Sequence, residues 1–247
     1  MIKYILLGAV QGMTEFFPVS SSAHLVIFQK LLGIDGRGLV FPIVLHLGTL
    51  LATVLYFRRD ILRTLSDRRQ FLLVAAVTLI TGVIAFPLKG SVEKIFSSTV
   101  PAALALLATG TALLLTGRLR VFGKKDISLG DAALTGAAQG IAVLPGISRS
   151  GATISVLLFR GIERETCFKF SFISGIPAVA GAALLDAREI TTVCVESWSE
   201  PLAGFLASFI FGLAALALLR RLILRSKLPY FGYYCLLAAA AILIFLR

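Results

Sequence analysis

Residues 8–25 read GAVQGMTEFFPVSSSAHL, and residues 136–153 read GAAQGIAVLPGISRSGAT. Laid over one another at an offset of 128 positions, they agree at Gly8/Gly136, Ala9/Ala137, Gln11/Gln139, Gly12/Gly140, Ser20/Ser148 and Ser22/Ser150, and each carries a proline just ahead of its serines. Both stretches are polar and broken by glycine and proline. Three long apolar runs follow each of them, near 39–57, 70–88 and 99–117 after the first and near 166–185, 201–219 and 229–246 after the second. Runs of that length cross ~30 Å of hydrocarbon as helix. An odd number of crossings between two copies of one pattern inverts the second relative to the first. Interrupted segments at matching positions of inverted halves point to a binding site near the middle of the bilayer.

Composition and charge agree with a membrane chain. Of 247 residues, 57% are hydrophobic and the mean hydropathy is +0.92, against the ~45–50% apolar content of soluble domains. Lys3 opens a short apolar stretch that Gln11 and Glu15 cut off with no small-residue cleavage site after it, so no removable signal peptide is expected. The net charge of +11 lies between the apolar runs, and membrane topology explains it better than nucleic acid does. Arg58, Arg59, Arg63, Arg68 and Arg69 follow the first run, Arg118, Arg120, Lys124 and Lys125 the third, and Arg220, Arg221, Arg225 and Lys227 the fifth. These three connections are expected to be cytoplasmic loops. The connection 186–200 carries Asp186, Glu189, Glu196 and Glu200 against Arg188 alone, which suits the opposite face.

The same counting puts 129–160 between two cytoplasmic stretches, because Arg160, Arg164 and Lys169 follow it. It also puts the N-terminus and the loop at 31–38 both outside. Each segment then enters and leaves by one side, as a pair of half-helices whose broken backbone must be covered by protein or line a cavity. The expected fold is all-α integral membrane, with six transmembrane helices plus two re-entrant helix hairpins in an inverted-topology repeat. It forms a single membrane domain over 1–247, with repeat 1 at about 1–117 and repeat 2 at about 129–247. Cys167, Cys194 and Cys235 are far apart with no CxxC pair, so they are expected to pack as small apolar residues.

Charges at membrane depth cost on the order of 2.5–3.5 kcal/mol each and are expected to be paired and functional. Glu15 and Arg149 are the clearest cases. Arg149 is flanked by Ser148, Ser150 and Gly151 at the opening of a helix, which joins a guanidinium fork, hydroxyls and free backbone N–H groups in an anion site suited to phosphate. Thr153 could add a hydroxyl. On the facing hairpin Gln11 and Glu15 share a helix face, two oxygen-bearing side chains suited to a hard divalent cation such as Mg²⁺ or Ca²⁺. Ser20, Ser21, Ser22 and His24 add hydroxyls and an imidazole fit for general acid/base work. His46, inside an apolar run, is expected to be structural or supporting. The residues alone imply a membrane protein acting on a phosphorylated, lipidic substrate.

At these positions the chain resembles the undecaprenyl-diphosphatase family, the bacitracin-resistance membrane phosphatases. The resemblance rests on QGMTEFFPVSSSAH and PGISRSGAT and continues through HLGTLLATVLYFRR, FKFSFISGIPAVAGA and FGYYC. It implies hydrolysis of undecaprenyl diphosphate to the monophosphate and inorganic phosphate, recycling the lipid carrier for peptidoglycan and other envelope polymers. It further implies a divalent cation, a polyprenyl diphosphate substrate, and a multi-pass protein of the bacterial cytoplasmic membrane whose site opens to the outer face. The implied catalytic residues are Glu15, Ser21, His24 and Arg149, with Ser20, Ser148, Arg149, Ser150, Gly151 and Thr153 toward substrate and Glu15 and Gln11 toward metal. Gln11 stands where many members have glutamate, and Ala23 where glycine often precedes the histidine. A homodimer is left open by this reading. The competing reading is a polyprenyl-phosphate flippase or transporter, since inverted repeats meeting at mid-membrane also build carriers.

Overall fold

The structure, a computed structural model, describes residues 1–34, 40–96, 99–119, 123–190 and 198–245, with side chains for all of these except 40, 89–96, 99, 186–190 and 245. Among them the chain forms eleven helices: α1 (Ile2–Phe16), α2 (Ser21–Leu31), α3 (Val40–Tyr56), α4 (Arg58–Ser66), α5 (Arg68–Phe96), α6 (Thr99–Thr116), α7 (Leu129–Ile141), α8 (Arg149–Phe159), α9 (Arg164–Ile190), α10 (Ser199–Leu224) and α11 (Leu228–Phe245). The only β-type pairing among the described residues is an isolated bridge between Lys124 and Ile162. Arg120, Cys194, Glu196 and residues 35–38 of the loop at 31–38 lie outside the described residues, as do the side chains of Asp186, Arg188 and Glu189.

Each apolar run of the sequence falls within a helix. Three stretches are long and apolar enough to cross a membrane, Arg68–Leu88, Arg164–Leu185 and Ser199–Leu224. Val100–Thr116 and Leu228–Ile244 are apolar but shorter, and Phe41–Tyr56 reaches that length only together with Arg58–Ser66, to which it is bent by 71°. That bend corrects one expectation. The arginine-rich connection after the first run is the helix α4, because no helix breaker follows Phe57 before Asp67 and Asp60 sits favourably in its first turn. Outward-facing Leu79, Val83 and Phe86 of α5 and Leu237 and Ile244 of α11 are all more than half exposed. A surface so apolar suits hydrocarbon, not water.

Packing interlocks the two halves. Helix α1 lies along α10, α7 along α5, α3 along α10 and α9, and α6 along α11. Small residues set the first two contacts. A methyl on Gly12 would sit 2.6 Å from the carbonyl oxygen of Ser208, and one on Gly136 would sit 2.9 Å from that of Val77. An aromatic cluster of Phe16, Phe57, Phe168 and Phe172 fills the centre below the α1–α2 tip. Cys167 and Cys235 are buried free thiols, packing as expected.

The offset of 128 is kept in three dimensions. Helices α2 and α8 are each eleven residues long and begin at Ser21 and Arg149. The hydroxyls of Ser20 and Ser22 lie 3.2 Å apart, as do those of Ser148 and Ser150.

Candidate active site

The connections between α1 and α2 and between α7 and α8 meet, and a cavity of about 310 Å³ opens beside them. Glu15, Ser20, Ser21 and Ser22 form one wall, Ser148 and Arg149 another, and His46 of α3 a third. Glu15 is the last polar residue of α1, brought here because Gly8 and Gly12 let that helix seat deeply against α10. The opposite tip is held by α6, where Thr109 Oγ1 donates to the carbonyl of Gly146 at 3.2 Å and accepts from the backbone N–H of Ser148 at 3.2 Å.

Arg149 Nη2 donates to Glu15 Oε1 at 3.1 Å, with the two side chains only 18% and 11% exposed. The guanidinium lies over the ring of Phe172, 5.6 Å from its centroid, and against Gly175, where any side chain would collide with it. The other carboxylate oxygen, Oε2, accepts from Ser21 Oγ at 2.8 Å and from Gln11 Nε2 at 3.0 Å. Gln11 and Glu15 thus share a helix face, as their spacing requires. Ser148 caps α8, its Oγ accepting from the N–H of Gly151 at 3.2 Å. Ser20 precedes α2 with φ +67° and no side-chain cap, a conformation that costs a non-glycine residue on the order of 1–3 kcal/mol.

Three of the expected substrate residues stand behind the wall. Ser150 Oγ donates to the carbonyl of Phe16 at 3.0 Å, Gly151 abuts Pro18, and Thr153 Oγ1 bonds with Ser171 Oγ and donates to the carbonyl of Arg149 at 2.9 Å. The helical turn that aims Arg149 at Glu15 turns Ser150 and Gly151 away from it, whereas Thr153 shares the face of Arg149 one turn on and has its hydroxyl taken up by Ser171 and the Arg149 carbonyl. His24 is also off the wall. Its Nδ1 donates to the carbonyl of Ser20 at 2.8 Å, so Nε2 accepts from the hydroxyl of Tyr234 at 2.5 Å.

A buried carboxylate and guanidinium facing one another across serine hydroxyls can bind phosphate oxygens on one side and accept a hydroxyl proton on the other. The chain matches, over residues 4–241, the family described as Bacitracin resistance protein BacA. It belongs to that family. Similar relatives include the undecaprenyl-diphosphatase of Geobacter metallireducens, 40% identical over 260 residues that cover 98% of this chain and 96% of the relative. Those of Carboxydothermus hydrogenoformans, 38% identical with 97% and 95% covered, and Methanosphaera stadtmanae, 38% identical with 95% and 94% covered, are alike in extent. With the apolar helices, this makes the BacA-family chain a multi-pass membrane protein.

Two residues of this BacA-family site escaped the sequence reading. His46 was expected to be structural or supporting, yet its ring lines the cavity with Nε2 3.6 Å from Glu15 Oε2. A titratable ring inside an apolar run was the available signal. Tyr234, 210 residues from His24, lies in FGYYC, which carries part of the resemblance, but nothing there pointed to His24. As a cation position the site is partly equipped. No group of three His, Cys, Asp or Glu converges among the described residues, but Gln11 Oε1 is buried without a partner beside the Glu15 carboxylate. An orphaned acceptor next to an anion fits a cation there.

Proposed function

We propose that the chain hydrolyses undecaprenyl diphosphate to undecaprenyl phosphate and inorganic phosphate, recycling the lipid carrier of peptidoglycan and envelope polymers and so conferring resistance to bacitracin. Family membership supports the reaction, and the Glu15–Arg149 pair across the cavity is the observation that carries the mechanism. Its partners are the polyprenyl diphosphate and the bilayer, and nucleic acid has no place in it, since the basic residues gather at helix ends.

Arg149 and Ser148 hold the terminal phosphate, the guanidinium exchanging part of its contact with Glu15 for phosphate oxygens. Ser21 Oγ attacks the terminal phosphorus while its proton passes to Glu15 Oε2, the oxygen it already donates to. The bond from that phosphorus to the bridging oxygen breaks, and undecaprenyl phosphate leaves with that oxygen. Water then attacks the phosphoserine: the proton Glu15 took in the first step returns to Ser21 Oγ as the bond from phosphorus to Oγ breaks, a proton from water passes to Glu15, and its release to solvent restores the carboxylate as inorganic phosphate departs. Arg149 neutralises charge in both steps, where positioning and electrostatics supply most of the rate in phosphoryl transfer. His24, bonded to Ser20 and Tyr234, positions the turn that presents Ser21. A divalent cation held by Glu15 and Gln11 would supply further charge neutralisation on phosphate oxygens.

The architecture that suits this chemistry is one membrane domain of two inverted repeats, about 1–117 and 129–247, with six crossings and α1–α2 and α7–α8 as re-entrant hairpins. Reciprocal packing of α1 on α10 and α7 on α5 supports it. The charge distribution supports a cavity that opens toward the outer face of the cytoplasmic membrane. The test is inorganic phosphate release from undecaprenyl diphosphate by the purified full chain. Arg149→Ala is expected to lower the rate by at least ~10³-fold, and chelation to lower it in wild type. No release from folded wild type across a series of metals would overturn the reading and turn attention to lipid movement across vesicles.

A further inference from the structure

His46 Nδ1 lies 2.8 Å from the carbonyl oxygen of Pro42. A carbonyl only accepts, so Nδ1 carries a hydrogen and Nε2 is the ring nitrogen left to take a metal. Nε2 lies 3.6 Å from Glu15 Oε2, longer than a good hydrogen bond and wide enough for a cation between the two. About 3.4 Å is the ligand-to-ligand edge of a tetrahedral site with ~2.1 Å bonds. A backbone carbonyl on the opposite ring nitrogen is also how metal-binding histidines are held in register.

Gln11 makes an independent observation. It is fully buried, its Nε2 meets the same carboxylate oxygen, and its Oε1 has no partner among the described residues. Turning the amide by half a revolution aims that oxygen at Glu15, which is favourable only with a cation between them. The protein thus offers one carboxylate, one imidazole and one amide oxygen, leaving other positions to water and phosphate, as in an open site.

We propose that His46 Nε2 is a ligand of the divalent cation at Glu15, and that this site takes a transition metal such as Mn²⁺ or Zn²⁺ in preference to Ca²⁺. The inference rests on the cation position of the phosphatase reading. Its selectivity follows from donor chemistry, since imidazole suits transition metals and Ca²⁺ takes oxygen ligands.

The test uses Mn²⁺ alone, without lipid, on the full chain in detergent. Electron spin-echo spectra of the bound ion should show a directly coordinated ¹⁴N, replaced by the ¹⁵N pattern when the two histidines of the chain are labelled. The coupling should persist in His24→Gln and vanish in His46→Gln, whose Mn²⁺ affinity should fall at least ~10-fold, no less than for loss of an outer-shell partner, with Ca²⁺ affinity changing less. Isotope labelling gives an answer in wild type even where His46→Gln folds poorly. Mn²⁺ bound in a Glu15-dependent way but without nitrogen coupling, or coupling that survives His46→Gln, would overturn the proposal and leave the cation reading standing. Absence of Glu15-dependent Mn²⁺ binding would overturn both.

Discussion

The two helix pairs share a template but divide the work. The α7–α8 pair is pinned at its base and capped at its tip. Asp131, fully buried, accepts from Lys124 Nζ at 2.6 Å, Arg160 Nε at 2.8 Å, and the backbone and hydroxyl of Ser128 at 2.9 and 2.6 Å. The position 128 residues earlier is Lys3, which is exposed, and the nearby Met1 amine stands 4.0 Å from Glu200. At the tips, Ser148 caps its helix while Ser20 sits at positive φ uncapped. The firmly built pair carries Arg149, and the strained pair carries Glu15 and Ser21. On the proposed reading, one pair holds a phosphate rigidly while the other keeps reactive groups poised, because strain is tolerable only where surrounding structure fixes it.

The largest effect expected from this asymmetry is at the base. Asp131→Asn removes the charge from a buried ion-pair cluster, and its stability cost should be about 3–5 kcal/mol, whereas Lys3→Ala should stay within ~0.5 kcal/mol. Burial would raise the Asp131 carboxyl, but the hydrogen bonds from Lys124, Ser128 and Arg160 outweigh it and hold the group well below the ordinary carboxylate range. A depressed value means that the carboxylate's stabilisation is complete above the unfolded value, near ~3.9, and is lost as pH falls through the folded one. Thermal melts in detergent should therefore separate wild type from Asp131→Asn at neutral pH and bring them together in strong acid. Equal sensitivity of the two bases would erase the comparison.

Next comes the seating of the two first helices. A methyl on Gly12 meets backbone atoms of α10, Ser208 O at 2.6 Å and Gly212 N at 2.8 Å, while one on Gly140 meets Ile84 Cβ at 2.7 Å and the Thr81 carbonyl oxygen at 3.2 Å. Both sets of atoms are fixed to a neighbouring helix, but only Gly12 has backbone atoms closer than 3.0 Å, so Gly12→Ala should cost about 2–3 kcal/mol and Gly140→Ala about 1–2. Gly82→Ala has open space around it and should be neutral or stabilising by up to ~1 kcal/mol. Melting shifts in that order sharpen the contrast between pairs, and the reverse order breaks it.

The sequence made the large features legible because they rest on composition and period. Six apolar runs became helices, and the start of α8 follows from that of α2 through the offset. That Glu15 and Arg149 would each be paired was legible because buried charges must find partners. Ser20 and Ser148, each just ahead of a half-helix, were placed on the wall by the same pattern. Side-chain direction was not legible. Whether His24 faces the carboxylate depends on how α2 and the turn before it are rotated, and that is set by contacts with α11, His24 with Tyr234 and Phe17 with Phe231, more than 200 residues along the chain, while His46 is aimed by α3. The same rotation logic hid Ser150 and Thr153, whose hydroxyls are consumed by neighbouring helices. Helix α4 was hidden by its arginines, which read as a loop until its bend from α3 is seen.

The smallest effect is the most informative about the tips. Ser148→Ala removes a cap and should cost about 1 kcal/mol, a change visible as a lower melting temperature. Ser20 supplies no cap, so its replacement by glycine loses nothing there and releases the cost of φ +67°, stabilising by up to ~1 kcal/mol. Phosphate release should move the other way, because Ser20→Gly removes a hydroxyl from the cavity wall and frees the turn that aims Ser21 at Glu15. A gain in stability with a loss in rate is the signature of strain kept for function. If Ser20→Gly instead destabilises as Ser148→Ala does, the two serines have one structural duty, and the division of labour between the helix pairs does not extend to their tips.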